Sequence, residues 1–413
     1  MRSNRAGIKR KEPSLLLVSI ALFLGFLALM QNQYGQFSDI RGFYGMHFSD
    51  GENQWPFSYH TLVGSNEERH PVEYPALTGL VMWLISFLIP LSENSVVAYY
   101  TLTALLNTIL FSYSAFLVKK LTDSKTSYLF ILAPAVLYSL HRNWDIWALV
   151  PMLLAVYFFE NKKYHLSALN LAIAVATKFF PIVLLLPITI FFWRNRKFAV
   201  SIRYALETLA FWALINLPFA LINFEGWAYF YKFSYRRGFG GGSLYEMMSK
   251  LGLGIQVNSL TFYVLNCLIF IIIIALLIKT SSPIKLSNSA FFVLFAFTLF
   301  NKQYSMQYII WLAPFAAITI SQLATSLQKT AIKLYIFWQI IEFAFQYSFF
   351  QNILTNTGKS RGVEIASVEV SEFQYGVVSL FRYGTFLIFF VLLYRSVWTN
   401  RIKNSGAQSE KKK

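Results

Sequence analysis

The succession of apolar runs constrains the fold of this chain more than any single motif. Runs occur at Ser14 to Met30, Tyr74 to Leu91, Ser95 to Val118, Ser127 to Leu140, Ile146 to Phe159, Leu166 to Trp193, Tyr204 to Asn223, Ser259 to Ile278, Ala290 to Phe300, Tyr308 to Leu323, Leu334 to Phe350 and Tyr375 to Val397. With 56% hydrophobic and 13% charged residues, this much apolar surface cannot be hidden in one soluble core. The expected fold class is an all-α polytopic membrane protein with about 12 transmembrane helices. The first run follows a basic flank, as in a signal peptide, but no small-residue cleavage site follows it, so it reads as a retained helix. The run Leu166 to Trp193 is too long for one ordinary span and is interrupted by Lys178-Phe179-Phe180-Pro181, which points to two short helices. Ser127 to Leu140 and Ile146 to Phe159 each give only about 21 Å of helix, and Ala290 to Phe300 less. Such runs need extension, bilayer thinning or burial against neighbours.

Charge orders these runs across the bilayer. The net charge of +17 is spread in short clusters between runs rather than gathered on one soluble face, which follows the positive-inside pattern and argues against a nucleic-acid partner. Arg2, Arg5, Lys9, Arg10 and Lys11 before the first run, and Arg401, Lys403 and Lys411 to Lys413 after the last, place both tails in the cytoplasm. Residues 1–398 read as one membrane domain and 399–413 as a basic cytoplasmic tail. Glu160-Asn161-Lys162-Lys163, Arg194 with Arg196 and Lys197, Lys279 with Lys285, and Lys329 with Lys333 also read as cytoplasmic, leaving 224–258, 301–307 and 351–372 outside. One conflict stands. Lys119-Lys120 reads as cytoplasmic, yet counting from the first helix puts it outside if Tyr74 to Leu91 crosses fully; either that segment is re-entrant or the charge rule fails locally. The single cysteine, Cys267, excludes disulfides and thiolate metal sites within one chain.

Two loops differ in character from the rest. The first, 31–73, carries Asp39, Asp50, Glu52, Glu67, Glu68 and Glu73 against Arg41 and Arg69, together with His47, His60 and His70, and is too long and polar to be a mere connector. The second, 224–258, holds the amphipathic aromatic stretch Trp227 to Arg237, suited to lying in the membrane interface and walling a cleft.

An ordered series of short motifs runs through this framework: Ser38-Asp39 with Phe43-Tyr44, Glu73-Tyr74-Pro75-Ala76-Leu77, His141-Arg142-Asn143-Trp144-Asp145, Thr177-Lys178 with Pro181, and Gln307-Tyr308 with Trp311 and Pro314. The series resembles the glycosyltransferase C superfamily. Within it, the chain looks most like glycosyltransferase family eighty-seven, which contains polyprenyl-phosphate-mannose-dependent mannosyltransferases of bacterial envelopes. It has Tyr-Pro-Ala where that family often has Tyr-Pro-Pro. The resemblance implies a glycosyltransferase C fold in the bacterial plasma membrane, with an extracytoplasmic active site between the first large loop and the membrane core. It also implies a polyprenyl-phosphate sugar donor, mannose first, a glycolipid or glycan acceptor, and inversion at the anomeric carbon. Asp39 matches the acidic residue that acts as base in such enzymes; its plain alternatives are a solvated loop acid or a helix cap.

Other candidates follow from residue chemistry. Arg236 and Arg237 beside Gly238 and Gly240-Gly241-Gly242-Ser243 pair two guanidinium forks with a backbone able to turn its N–H groups toward the donor phosphate; alternatively they meet lipid headgroups. Lys178, inside an apolar run, either faces a cavity or an anion or snorkels to the interface. His141 and Asp145, four apart, would share a helical face if the helix begins early enough, with Arg142 adjacent, and Asp145 is also a good N-cap for a helix starting at Ile146. Gln307 and Tyr308 at an outer turn, and Tyr44 and Glu73 in the motif series, complete the substrate-binding candidates; a boundary tyrosine can equally be an anchor. No cofactor is expected, with a divalent metal held by His47, Asp50, His60 and His70 as the alternative. His47, Asp50, His60 and His70 match no compact metal-ligand spacing, and Asp39-Ile40-Arg41 lacks the second acid used by metal-dependent members of the superfamily. The rival function is a transporter or flippase of lipid-linked sugars, which inverted internal repeats would favour.

Overall fold

The computed structural model describes residues 14–33, 38–47, 71–122, 124–253, 285–363 and 366–410, together with helical positions 261–262, 264–266, 268–269, 271–272 and 275. Most of the first loop (48–70), the basic N-terminal residues and Cys267 lie outside the described residues. Every regular element among the described residues is a helix, and the protein is an all-α membrane protein. Four helices are long and apolar enough to cross a bilayer by length and composition: Ser14–Gln31, Ser95–Thr122, Phe198–Ile222 and Glu372–Ser396.

In chain order the helices are α1 (Ser14–Gln33), α2 (Asp39–His47), α3 (Ala76–Ser86), α4 (Ser95–Thr122), α5 (Ser127–Ile131), α6 (Pro134–Ser139), α7 (Asp145–Glu160) and α8 (Tyr164–Thr177). A 3-10 turn, Phe180–Leu184, leads into α9 (Leu185–Arg194), followed by α10 (Phe198–Ile222), α11 (Phe224–Arg236) and α12 (Leu244–Lys250). After the sparsely described stretch come α13 (Leu286–Leu299), a 3-10 turn at Met306–Tyr308, α14 (Ile309–Ser321), α15 (Thr325–Arg361) and α16 (Glu372–Glu410).

Short helices occupy the centre and long ones the rim. Residues 309–320 of α14 are all buried, and α13 is buried along nearly its whole length. Only 17% of the α10 span is covered by protein, and Ile202, Leu206, Leu209, Leu214, Leu217 and Leu221 face outward. Between apolar helices in lipid there is no hydrophobic drive to associate, so close van der Waals packing holds them. Gly25 of α1 is an example: a Cβ there would lie 2.7 Å from a methyl of Thr108 on α4. The division between short inner and long outer helices removes the difficulty posed by the 21 Å runs, because a helix enclosed by protein need not match the bilayer.

The pairing of α1 with α4 resolves the charge conflict. Leu29 packs in one group with Tyr100 and Ala104, Gly25 faces Thr108, and Leu17 and Ala21 belong to the group containing Ala115 and Val118, so the two helices are antiparallel. The start of α1 and the Lys119-Lys120 end of α4 therefore lie at the same end of the bundle. Between them, Tyr74 lies deep, bonded to Asn143. The α3 helix then climbs back, so that the Met82 carbonyl meets Tyr99 near the start of α4. With 11 residues, or about 16 Å, α3 dips in and returns instead of crossing. This geometry agrees with the re-entrant reading of segment 74–91.

The run from Leu166 to Trp193 is broken as its internal Lys-Phe-Phe-Pro suggests: α8 stops at Thr177, Lys178 is extended, and Pro181 begins the 3-10 turn. Thr78 Oγ1 of α3 donates to the Thr177 carbonyl at 2.6 Å, satisfying a group freed by the break. The turns sort to two ends. Glu160 accepts from Ser287 N–H and Asn288 donates to Gln322 at one end. At the other end, Gly240 N–H donates to the Lys302 carbonyl, and Tyr375 donates to Glu246.

Candidate functional site

A cavity of about 660 Å³ opens at this second end. Its lining brings together distant segments: Asp39 and Phe43 of α2, Glu73 and Tyr74, Asn143, Lys178, Arg237, and Gln303 through Tyr308 with Trp311, apart from Tyr304. One flank is aromatic, formed by Phe179, Phe230, Tyr231, Phe233, Tyr235 and Phe262.

A continuous polar chain underlies it. Asn143 Nδ2 donates to Asp39 Oδ2 at 3.1 Å and to the Tyr74 hydroxyl at 2.9 Å. Lys178 Nζ donates to Asn143 Oδ1 at 3.4 Å and to Asp145 Oδ2 at 2.9 Å, while Trp311 Nε1 donates to Asp145 Oδ1 at 2.7 Å. Both amide hydrogens of Asn143 and both oxygens of Asp145 are used in this chain. Trp311 is held between Phe180 (3.5 Å between centroids) and Tyr308 (3.8 Å), both stacked on it.

The local structure accounts for the position of Asp39. Ser38 Oγ accepts from Ile40 N–H, making Ser38 the cap, and also lies within bonding distance of the His141 and Arg142 carbonyls at 3.3 Å. Asp39 is thus the first residue of α2 and not its cap. One helical turn later Phe43 shares its face toward the cavity, whereas Ile40 and Tyr44, also four apart, are buried against α4, where Tyr44 stacks on Tyr99 at 4.5 Å. Asp39 is exposed toward the cavity and tied on its inner side to Asn143. Dehydration raises its carboxyl above the ordinary 3.8, against the Asn143 hydrogen bond and the positive charges of Lys178, Arg237 and Arg142, which act to lower it.

The other candidates divide. Glu73, Lys178, Arg237, Gln307 and Tyr308 reach the cavity with Asp39. Asp145 forms its floor through Lys178 and Trp311; its oxygens serve that pair, so the N-cap reading gives way, and α7 starts at Asp145 itself. His141 and Asp145 do not share a helical face, because residues 141–144 form a turn. His141 is instead fully buried with Nε2 2.9 Å from the Gly25 carbonyl, and burial holds its pKa down at about 4, so it is a neutral strut between the turn and α1. Arg142 lies over Tyr138 (4.5 Å) and Phe350 (4.0 Å), outside the lining. Tyr44 likewise packs away from the cavity. Arg236 ends α11 exposed and is not among the lining residues, unlike its neighbour Arg237.

The glycine stretch also departs from its expected use. Gly240 N–H is spent on Lys302 and Gly242 N–H on Glu246 Oε2 at 2.6 Å, so these two amides build the wall instead of facing an anion. Gly241 and Gly242 have φ of +57° and +81°, and a Cβ on Gly242 would lie 2.4 Å from Phe345. The Gly242 carbonyl accepts from Tyr383, and Arg382 donates to the Tyr304 carbonyl at 2.8 Å while paired with Glu342, all fully or nearly buried.

Asn143 and Arg382 are the structurally central residues that sequence reasoning left without a role. Asn143 lies within His141-Arg142-Asn143-Trp144-Asp145, and its signal is a polar amide between aromatic and charged neighbours at a run boundary. Arg382 and Glu342 each interrupt an apolar run, which was the available signal for an intramembrane pair. The metal candidates His60, His70 and Asp50 lie outside the described residues, and among the described residues no group of three or more histidine, cysteine or acidic side chains is placed to hold a metal ion. Comparison of the chain with protein-family models and with curated proteins yields no match.

Proposed function

We propose that this protein is an integral membrane glycosyltransferase that moves a sugar, mannose first, from a polyprenyl-phosphate donor to a glycolipid or glycan acceptor with inversion. The observation that carries this reading is a carboxylate of raised basicity, Asp39, sharing one cavity with the cations Lys178 and Arg237. In the reaction the acceptor oxygen forms a bond to the anomeric carbon as the bond from that carbon to the phosphate oxygen breaks. The acceptor hydroxyl proton passes to Asp39, and the electron pair leaves with the phosphate. An anionic phosphate needs cations rather than an acid to depart, and Arg237 is the guanidinium facing the cavity. Lys178 has one remaining hydrogen beyond its bonds to Asp145 and Asn143. The aromatic flank offers a surface for an isoprenoid chain entering from lipid.

The glycosyltransferase C fold, with about twelve crossings and the cavity on the extracytoplasmic side of a bacterial plasma membrane, belongs to the same proposal. Its support is the charge pattern: Lys162, Lys163, Arg194, Arg196, Lys197 and Lys285 flank turns at the end opposite the cavity. The test is transfer from radiolabelled polyprenyl-phosphate mannose to membrane glycolipids by purified protein, wild type against Asp39→Asn. Transfer falls at least about 100-fold in the variant while donor binding persists. Equal transfer by both removes Asp39 from the chemistry. Movement of lipid-linked sugar across vesicles without any transfer by the wild type favours the flippase.

A further inference from the structure

The cavity floor contains a buried ion pair that the reaction above does not consume. Lys178 and Asp145 lie 2.9 Å apart, and Asp145 is fully buried, so the pair gains little as a stabilising device compared with apolar packing. It is connected to the base through one side chain. Asn143, 2% exposed, uses both amide hydrogens on the cavity side, toward Asp39 and Tyr74, and turns its carbonyl oxygen to Lys178. Its backbone is fixed as well: the Asn107 amide donates to the carbonyls of Asn143 and Leu140, both at 3.1 Å. The Trp147 indole in turn donates to Asn107 at 2.7 Å, so the amide plane cannot drift.

Resting on the reading of Asp39 as base, we propose that Asn143 is a positioning residue that orients the Asp39 carboxylate and couples its basicity to the Lys178–Asp145 pair. The amide hydrogen bond favours the charged carboxylate, and it also fixes which oxygen, Oδ1, remains for the acceptor hydroxyl. Lys178 pulls in the same direction through its charge, and Asp145 opposes it. The other groups facing Asp39 are Arg142 from the following turn, Arg237 from the end of α11, Glu73, and Tyr74, a neutral phenol whose pKa burial raises well above its ordinary value. Among the described residues, Asn143 is the single side chain bonded to Asp39, Tyr74 and Lys178 together.

The arrangement gives opposite signs for the two halves of one ion pair, which a purely structural role does not. The experiment is the pH profile of kcat/KM for sugar transfer, with unfolding temperature in detergent recorded for each variant. Asn143→Ala and Lys178→Gln each shift the acidic limb to higher pH, the first by about one pH unit. Asp145→Asn shifts it to lower pH. Should Asp145→Asn fail to fold, the other two variants carry the sign. Unmoved limbs in Asn143→Ala and Lys178→Gln, with Asp39→Asn inactive, overturn the coupling and leave the base reading intact. Full activity of Asp39→Asn overturns the base reading itself, and the coupling falls with it.

Discussion

At the residue scale, the site turns on how few atoms separate a lining residue from a packing one. On α2 a single step along the helix, from Phe43 to Tyr44, moves a ring from the cavity to the α4 interface. The Ser38-Asp39 and Glu73-Tyr74 positions were legible through the ordered motif series, since taken locally each also fits a loop acid, a cap or a boundary anchor. The split between Arg236 and Arg237, or between Tyr44 and Phe43, was not legible, because it depends on helix phase and the sequence does not give the direction of the cavity. Asp39 also carries a pH signature. Its folded pKa is raised above 3.8, so as pH rises through the interval between 3.8 and the raised value the unfolded chain has already released a proton that the folded state retains. Stability therefore falls across that interval and stays lower above it. The expected outcome is an Asp39→Asn protein that is inactive yet melts no earlier than the wild type at neutral pH, with the difference vanishing below about pH 3.8. Thermal unfolding in detergent from pH 3 to 8 checks it; an earlier melt at pH 7 contradicts it.

At the scale of elements, the cavity wall is a loop-to-loop contact clamped from behind by helices. The bridge between Gly240 and Gln303 is held by Arg382 of α16, whose guanidinium lies over Tyr304 at 3.4 Å and Phe345 at 3.8 Å while it pairs with Glu342 of α15. Glu342→Gln leaves that charge buried without its counter-ion and destabilises the fold by about 3–5 kcal/mol, with transfer activity reduced further because residues 240–243 and 303–308 lose their common anchor. Replacing the pair together, Glu342→Leu with Arg382→Met, restores the unfolding temperature but not the activity. Full activity of the double variant would show that the clamp serves packing alone. The broken helix at Lys178 was legible from its proline and lysine within an apolar run. The clamp was legible only in part: Glu342 and Arg382 each stand out as a charge inside an apolar run, but nothing local to either run shows that the two pair.

At the scale of the whole molecule, the charge pattern and the contacts agree on two ends. Glu93, between α3 and α4, and Lys162, between α7 and α8, are exposed and lie at opposite ends of the bundle. With Cys267 replaced by Ser, a cysteine at position 93 is expected to react with an impermeant maleimide from outside intact cells, and one at 162 only after the membrane is opened. The reverse pattern, with 162 labelled from outside and 93 only after opening, would mean that α3 crosses after all. The acidic first loop, by contrast, was recognised only by composition, because its polarity dictates exposure without dictating shape.

The depth of the cavity has an electrical consequence. Space reaching from one mouth down to Lys178 carries bulk solution potential inward, so a transmembrane voltage drops chiefly across the sealed layer of α7, α13 and α14 beneath. A proton accepted by Asp39 and returned through that mouth traverses almost none of the field. Turnover in vesicles under an imposed potassium diffusion potential of about 100 mV is accordingly expected to equal that at zero voltage, although the same field moves a charge crossing the full bilayer by about 2.3 kcal/mol. On the proposed function, sugar transfer would run equally well in an energised cell and in a discharged one.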